Sequence, residues 1–344
     1  MSGTTCEQKQ KILSAKGFFL PSEEKLKEKN SLKPRKIILL AGPTACGKTA
    51  LSLMLAEALG GEIISADSMQ VYRGMDIGTA KVSLDDQRRI PHHLIDIRDI
   101  HETFNVVDFY YEARQSCDSI LARDRVPIIV GGSGFYFRSL LYGPPNGPPS
   151  IPEMRHALEE QMRIHGNELL YQKLCELDPA YAQTITCNDR HKIIRALEII
   201  SLSGEKVSNL CWERTKVLSD YIFHPWFLHR PRTALYPRIE ERCEQMVAEG
   251  LIEEVQRLEV LGLRNNSTAS QAIGYRQSLE FLESPRTEVD FKRFLRKFKT
   301  ASRQYAKRQF TWFRGEPLFR WLNVEVHDFE IALDLILQDY SQLN

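Results

Sequence analysis

The sequence predicts an α/β fold, a P-loop NTPase-like parallel sheet flanked by helices, with an all-helical insertion domain. In the first half of the chain, short apolar runs alternate with helical patterns, as in a parallel sheet built from strand–helix units. From about residue 144 to 217, helical patterns follow one another without a strand pattern between them. A glycine-rich loop directly after the first strand pattern is typical of the P-loop class.

The apolar periodicity places the elements in chain order. Strands are predicted at residues 36–41, 62–66, 93–97, 126–130, 221–228 and 318–324. Helices are predicted at residues 48–59, 105–124, 152–177, 179–185, 189–203, 235–261, 272–283 and 288–314. The segment 143–150 is dense in Gly and Pro and predicts a boundary. The resulting division is a polar N-terminal extension (1–33), a catalytic core (34–143 and 218–344) and a helical insert (144–217).

Composition narrows the class of protein. The 344 residues are 42% hydrophobic and 26% charged, with a formal net charge of +1, which is ordinary for a soluble globular protein. Seven scattered cysteines without a C-x-x-C pair disfavour a disulfide framework and a zinc site, so a cytoplasmic protein is expected. The N-terminal extension has no secretory apolar segment, and its acids, such as Glu7 and Glu23, disfavour a transit peptide. No membrane association is expected.

The P-loop is the octapeptide that runs from Gly42 to Thr49, after the apolar run 37–41. The backbone N–H groups of such a loop converge on a chain of phosphates, and the positive end of the following helix adds to their field. Lys48 can neutralise outer phosphate oxygens, and the Thr49 hydroxyl can hold Mg²⁺. By default the loop suggests ATP or GTP.

A water-activating acid is missing from the place where a P-loop hydrolase usually carries one. The strand pattern 126–130 ends in Gly131-Gly132-Ser133-Gly134 instead of Asp or Glu. The acid in a comparable place is Asp67, which follows the strand pattern 62–66. Its carboxylate can serve as a base for an incoming nucleophile, whereas an N-cap or Asx turn is the structural alternative.

A basic stripe, defined here as the cationic residues from Arg286 to Arg314, lies near the C-terminus. Ten Lys or Arg residues stand there against Glu288 and Asp290 alone, and apolar residues recur at helical spacing between them. The stripe is either a solvated helical face or a contact surface for an RNA or DNA backbone.

Taken together, these motifs resemble the tRNA dimethylallyltransferase (tRNA isopentenyltransferase) family, bacterial type, from Arg35 to about Trp321. No Cys/His zinc finger follows the core, which favours the bacterial type. The matching segments are the P-loop, 67–81, 91–96, 131–134, 195–198, 272–275 and 305–312. The resemblance implies transfer of a dimethylallyl group from dimethylallyl diphosphate to N6 of the adenosine 3′-adjacent to the anticodon. It implies tRNA, through its anticodon stem-loop, as partner and Mg²⁺ as cofactor, and one chain holding all required parts suggests a monomer.

The resemblance also assigns the donor-side residues. The catalytic residues would be Asp67, Thr44 and Lys48, with Thr49 on the metal. The diphosphate would bind Gly42, Pro43, Thr44, Ala45, Cys46, Gly47, Lys48, Thr49 and Arg242. For Arg242, a salt bridge on the helix surface is the alternative.

The tRNA side is assigned in the same way, and the helical insert would belong to it. The expected contacts are Asp67, Ser68, Met69, Gln70, Ser133, Arg155, His191, Lys192, Ile193, Ile194, Arg195, Gln271, Ala272, Ile273, Gly274, Tyr275, Arg276, Lys307, Arg308, Gln309, Phe310, Thr311, Trp312, Phe313 and Arg314. His191 and Lys192 depart from the family's Gln-Arg-x-x-Arg stretch, and Ser133 stands where Thr is usual. For Ile193, Ile194 and Ile273, packing in a core is the alternative.

Three other classes of function compete with this hypothesis. An adenylate isopentenyltransferase shares the P-loop and the prenyl chemistry, but the helical insert and the basic stripe disfavour it. A nucleotide kinase or nucleic-acid-stimulated ATPase is disfavoured by the missing acid after Val130. A non-catalytic RNA-binding module is disfavoured because Asp67, Lys48 and Thr49 are all present.

Overall fold

The computed structural model describes residues 35–210 and 220–342. At its centre lies one six-stranded, all-parallel sheet in the order β3-β2-β4-β1-β5-β6. The strands are β1 Lys36–Ala41, β2 Glu62–Ala66, β3 His92–His93, β4 Pro127–Gly131, β5 Ile222–His229 and β6 Arg320–Asn323. The predicted fold class is therefore confirmed.

The helices flank the sheet or form the insert. The α-helices are α1 Lys48–Leu59, α2 Leu84–Arg89, α3 Val106–Leu121, α4 Gly134–Tyr142, α5 Pro152–Leu177, α6 Pro179–Ala182, α7 Arg190–Ser203, α8 Arg232–Ala248, α9 Leu251–Val260, α10 Tyr275–Leu282, α11 Glu288–Arg314 and α12 Phe329–Gln342. Short 3-10 helices lie at Val207–Asn209, Leu263–Asn265 and Ala269–Gln271. Among the described residues, no helix is long and apolar enough to cross a membrane.

The strand order brings the functional loops to one edge of the sheet. Every residue of β1 and β2 is buried, which explains the continuous apolar character of β1. Ala41 pairs with Gly131, and Ala66 pairs with the same Gly131 from the other side. The loops that leave β1, β2 and β4 therefore start side by side, at the carboxyl edge where α/β sheets bind ligands.

Two predicted elements differ from those observed because of local backbone conformation. The strand predicted at 93–97 is limited to His92–His93, since Leu94 and Asp96 adopt positive φ values of 61° and 55°. The helix predicted at 235–261 is two helices, α8 and α9. Gly250 separates them with a φ of 100°.

Other differences concern elements that the sequence patterns did not indicate. Helices α2, α4 and α12 were not predicted, whereas α1 has the predicted limits. α5 kinks at Gly166. The helix predicted at 272–283 is observed as α10, which begins at Tyr275 after a 3-10 turn at Ala269–Gln271.

The insert has an apolar core of its own. Helices α5 and α7 pack against each other through a cluster separate from the main core, comprising Leu158, Met162, Leu170, Leu174, Ala182, Ile185, Ile193, Ile194, Ala196 and Leu197. The predicted domain limits stay predictions, because 1–33 and part of the return segment, 211–219, lie outside the described residues.

Candidate active site

A cavity of about 700 Å³ opens at the carboxyl edge of the sheet. Its wall joins the P-loop, the segment after β2, the loop after β4, and parts of α8, α10 and α11. The predicted residues that line it are Thr44, Ala45, Gly47, Lys48, Thr49, Asp67, Ser68, Met69, Gln70, Arg242, Gln271, Ala272, Ile273, Tyr275, Arg308 and Gln309. Donor-side and RNA-side candidates thus meet in one cavity.

Lys48 is held inside the P-loop. Its Nζ donates to the carbonyl oxygens of Gly42 at 2.9 Å and Pro43 at 2.8 Å. Burial lowers the pKa of Lys48, and the nearby negative charge of Asp67 opposes that change. Among the described residues, no carboxylate is hydrogen-bonded to Lys48 Nζ, and an incoming anion would supply its counter-ion.

Helix α8 brings two guanidinium groups to the P-loop. Arg242 Nη1 donates to Thr44 Oγ1 at 2.8 Å, and Arg238 Nε donates to the carbonyl oxygen of Ala45 at 3.3 Å. The pKa of Arg242 is lowered by burial, and the Asp67 carboxylate only partly opposes this change. Arg242 thus contacts the P-loop directly rather than forming a salt bridge on the helix surface.

Asp67 lines the same cavity as these cations. Its Oδ1 accepts the backbone N–H of Met69 at 2.8 Å, so the Asx turn weighed as an alternative does form. This contact fixes the carboxylate while its charge acts on Lys48 and Arg242. The turn is compatible with a role as base because one carboxylate oxygen is enough to hold it.

The segment from Asp76 to Thr79 positions Gln70. Ser65 Oγ donates to Gln70 Oε1 at 2.8 Å, and Gln70 Nε2 donates to the carbonyl oxygen of Thr79 at 3.2 Å. The segment itself rests on the buried carboxylate of Glu254, which accepts the backbone N–H groups of Asp76 at 3.1 Å, Ile77 at 2.8 Å and Gly78 at 3.3 Å.

Tyr275 completes the support around Glu254. Its side chain is fully buried, and its hydroxyl donates to Glu254 Oε1 at 2.6 Å. Burial and the Glu254 charge raise the pKa of Tyr275 well above its usual value, so the phenol stays protonated and keeps donating.

Tyr305 is a second polar group of the site, partly buried and close to the loop after β4. Burial and the charge of Asp67 raise the pKa of Tyr305, and hydrogen bonds with Ser133 and Gln309 oppose the rise. The guanidinium of Arg308 lies 5.6 Å from the centroid of the same ring.

Comparison with known proteins assigns the family. A family model described as IPP transferase matches residues 70–316 of the chain. The chain belongs to this family. A tRNA dimethylallyltransferase of Protochlamydia amoebophila is 57% identical over 326 residues, covering 95% of each chain. The tRNA dimethylallyltransferase of Chlamydia caviae is 51% identical over 307 residues, covering 89% of this chain and 90% of the relative.

Solved structures of the IPP transferase family agree with this assignment. The tRNA delta(2)-isopentenylpyrophosphate transferase of Staphylococcus epidermidis gives a TM-score of 0.66 at 36% identity, covering 91% of this chain and all of that chain. A eukaryotic dimethylallyltransferase acting on tRNA gives 0.71 at 27% identity, covering 88% of this chain and 77% of that one. The predicted family and fold class are confirmed.

The remaining RNA-side candidates of this IPP transferase family member lie outside the cavity wall, and most of them belong to α11 or to the insert. Lys307, Thr311 and Arg314 are exposed on α11, while Phe310 and Phe313 are buried in the main core. On the insert, His191 and Lys192 are exposed, and Ile193 and Ile194 are buried in its core. Ser133, Arg155, Arg195, Gly274, Arg276 and Trp312 also lie outside the cavity wall, as do Gly42, Pro43 and Cys46 of the P-loop. These contact assignments stay predictions.

Sequence reasoning missed three residues that shape the site. Arg238 lies four residues before Arg242, so their helical spacing could have indicated a shared face. Tyr305 belongs to a motif that the resemblance used but received no role. Glu254 sits within an apolar stripe of α9, and a carboxylate at such a position signals a buried partner.

Proposed function

We propose that this protein is a tRNA-modifying prenyltransferase. It transfers a dimethylallyl group from dimethylallyl diphosphate to N6 of the adenosine 3′-adjacent to the anticodon, and it releases diphosphate. The observation that carries the proposal is one cavity whose wall contains the cations Lys48 and Arg242 beside the P-loop together with the carboxylate of Asp67. The printed names of the similar proteins, tRNA dimethylallyltransferases, support the same reaction.

The chemistry asks for a base on the acceptor side. The lone pair of an adenine amino group is delocalised into the ring, so the nitrogen is a weak nucleophile until its proton is accepted. In the step, the N6–carbon bond forms, the carbon–oxygen bond to diphosphate breaks, and the N6 proton passes to Asp67. A positioned base of this kind contributes about 10²–10⁴-fold to rate.

The donor side must stabilise the charge of the departing diphosphate. Lys48 and Arg242 supply cations for this purpose. The hydrogen bond from Arg242 would orient the Thr44 hydroxyl beside the diphosphate. The exposed Thr49 hydroxyl at the start of α1 is a hard oxygen ligand that fits Mg²⁺. Mg²⁺ commonly takes only one or two protein ligands and completes its shell with phosphate oxygens and water. When bound, it would neutralise the leaving group.

The acceptor side fits a folded RNA better than a free nucleotide. Exposed cations continue along α11 beyond the cavity. Recognition of a single AMP does not require them, whereas they could bind the phosphates of an RNA backbone. The target adenine must leave its stack to reach Asp67. The segment Asp67–Gln70 holds the Gln70 amide by two hydrogen bonds, and this amide is suited to the ring edge of the adenine.

The proposed base and the proposed diphosphate-binding cations all belong to one chain and line one cavity, so we propose that the protein acts as a monomer. Cys46, Cys117, Cys175, Cys187 and Cys243 are free thiols, which supports a reducing cytoplasm as the site of action.

The test is transfer of label from radioactive dimethylallyl diphosphate in the presence of Mg²⁺, with unmodified tRNA and AMP offered together. The proposal expects label in tRNA, and none after substitution of the P-loop lysine, Lys48→Met. Label in AMP instead of tRNA would favour the adenylate enzyme, and diphosphate release without labelled RNA would favour a hydrolase.

A further inference from the structure

Gln309 lies on α11 among residues expected to contact tRNA, yet its side chain points the other way. It is 5% exposed, whereas its neighbours Lys307 and Arg308 are exposed. Its Oε1 accepts the backbone N–H of Thr44 at 3.2 Å, and its Nε2 donates to the carbonyl oxygen of Gly132 at 3.1 Å. Both ends of the amide are therefore used inside the protein.

These two contacts join three elements that the site needs in register. Thr44 belongs to the P-loop after β1, Gly132 to the loop after β4, and Gln309 to α11. Gly132 allows the approach, because a Cβ there would lie 2.1 Å from Gln309 Nε2. A side chain at 132 would thus displace the amide from its place between the two loops.

We propose that Gln309 is a positioning residue for the donor diphosphate and not a tRNA contact. By holding the backbone of Thr44, it sets the direction of the Thr44 hydroxyl that Arg242 contacts at 2.8 Å. The inference rests on the proposed function for its reaction, but the diphosphate site it describes can be measured without tRNA.

The first test is Gln309→Met, which keeps the side-chain volume and removes the hydrogen bonds that the amide makes with Thr44, Gly132 and Tyr305. Inorganic diphosphate binding should weaken by about tenfold, since the peptide N–H of Thr44 loses its buried partner. Binding of tRNA should stay within about twofold of the unsubstituted protein. The matched control is Gln304→Met on the exposed face of the same helix, which should change neither constant. Weaker tRNA binding with unchanged diphosphate binding would overturn the proposal, as would no change in either.

A second variant covers the case in which Gln309→Met weakens both constants. In Gln309→Glu, an ionised carboxylate still accepts from Thr44 but repels the Gly132 carbonyl, whereas a protonated one can donate to it. Burial beside a carbonyl raises the pKa of such a carboxyl. The diphosphate affinity of Gln309→Glu, relative to the unsubstituted protein, should therefore be low at about pH 8 and recover as the pH falls to about 5.5. A purely structural defect would not recover, and that outcome would also overturn the proposal.

The two proposals fail separately. If the unsubstituted protein transfers no label to tRNA while Gln309→Met loses diphosphate binding, the proposed function is wrong and the role of Gln309 stands. If transfer occurs and Gln309→Met leaves diphosphate binding unchanged, the proposed function stands and the role of Gln309 is wrong.

Discussion

The donor side of the cavity and the helical insert are held together in different ways. The donor side depends on contacts between residues far apart in sequence, such as Arg242 with Thr44, 198 residues away, and Gln309 with Thr44, 265 residues away. Two exposed candidate RNA residues of the insert instead pair locally. Arg155 lies 3.3 Å from Glu159 of the same helix. Lys192 lies 3.4 Å from Asp189 in the same local manner.

This difference separates a preorganised site from an adaptable surface. Partly buried cations fixed by the tertiary fold need no rearrangement when charge develops on a leaving group. Exposed local ion pairs are worth only about 0–1 kcal/mol, so phosphates of an RNA backbone can replace their acidic partners at little cost. The comparison predicts large, specific effects on the donor side and small, additive, salt-dependent effects on the insert.

The largest effect is expected from Asp67→Asn. The amide oxygen can still accept from Met69, so the Asx turn remains, but the group no longer takes a proton. Turnover should fall by about 10²–10⁴-fold with diphosphate affinity nearly unchanged. Single-turnover transfer to tRNA measures this, with the exposed Asp99→Asn as control. A rate within about threefold of the unsubstituted enzyme would remove Asp67 from the role of base.

The next effect is expected from Arg242→Lys. Lysine keeps the charge but not the planar guanidinium that reaches Thr44 Oγ1 while leaving other N–H groups free. We expect a loss of about 10²-fold in kcat/KM for the donor. Arg238→Lys, which changes a contact to the Ala45 carbonyl only, should lose clearly less. Equal losses in the two variants would contradict the claim that the contact between Arg242 and Thr44 matters more than the contact between Arg238 and Ala45.

A smaller effect is expected on the stability of the insert in Glu198→Gln. Burial alone would raise the pKa of Glu198, but hydrogen bonds from Ser150 and Arg195 and the backbone N–H of Ile151 outweigh it and lower the pKa. The ionised form is favoured by folding. Its contribution is therefore full above the unfolded-state pKa of about 4.3 and is lost as pH falls through the folded-state value.

Glu198→Gln should thus destabilise the protein by about 1–3 kcal/mol at neutral pH and by less in acid. Urea unfolding at several pH values measures the difference, with the exposed Glu205→Gln as control. If the difference in the free energy of unfolding stays constant across pH, the charge of Glu198 does not stabilise the insert.

The smallest single effects are expected from Arg155→Ala and Lys192→Ala. Each should weaken tRNA binding only a few-fold and reduce the slope of log K against log salt by about 0.7–0.9 if the cation contacts one phosphate. Filter binding at several salt concentrations gives both quantities. A double variant with an unchanged slope would show that neither Arg155 nor Lys192 contacts the RNA backbone.

The parts of the molecule that were predictable from sequence are those with a local cause. Helix α1 and strands β1 and β2 were predicted with their observed limits because an apolar run and a glycine-rich loop define them locally. Strand β3 was predicted too long because the positive φ at Leu94 is imposed by its surroundings and leaves no sequence pattern.

The site divides in the same way. The P-loop and Asp67 stand in recognisable local motifs, and the structure brings them into one cavity. Glu254 under the segment 76–78, and Gln309 under Thr44, act across 177 and 265 residues respectively, and no local pattern encodes such contacts. Amphipathic spacing predicted which face of α11 is buried, but it could not identify the partner of a buried amide on that face.

The account is tested most directly by nucleoside mass analysis of an unmodified tRNA after incubation with dimethylallyl diphosphate and the protein. It predicts that the adenosine 3′-adjacent to the anticodon gains one dimethylallyl group in place of one hydrogen. It also predicts that Asp67→Asn leaves this nucleoside almost entirely unmodified in the time in which the unsubstituted protein modifies it fully. An unmodified tRNA with the unsubstituted protein, or full modification by Asp67→Asn in that same time, would contradict it.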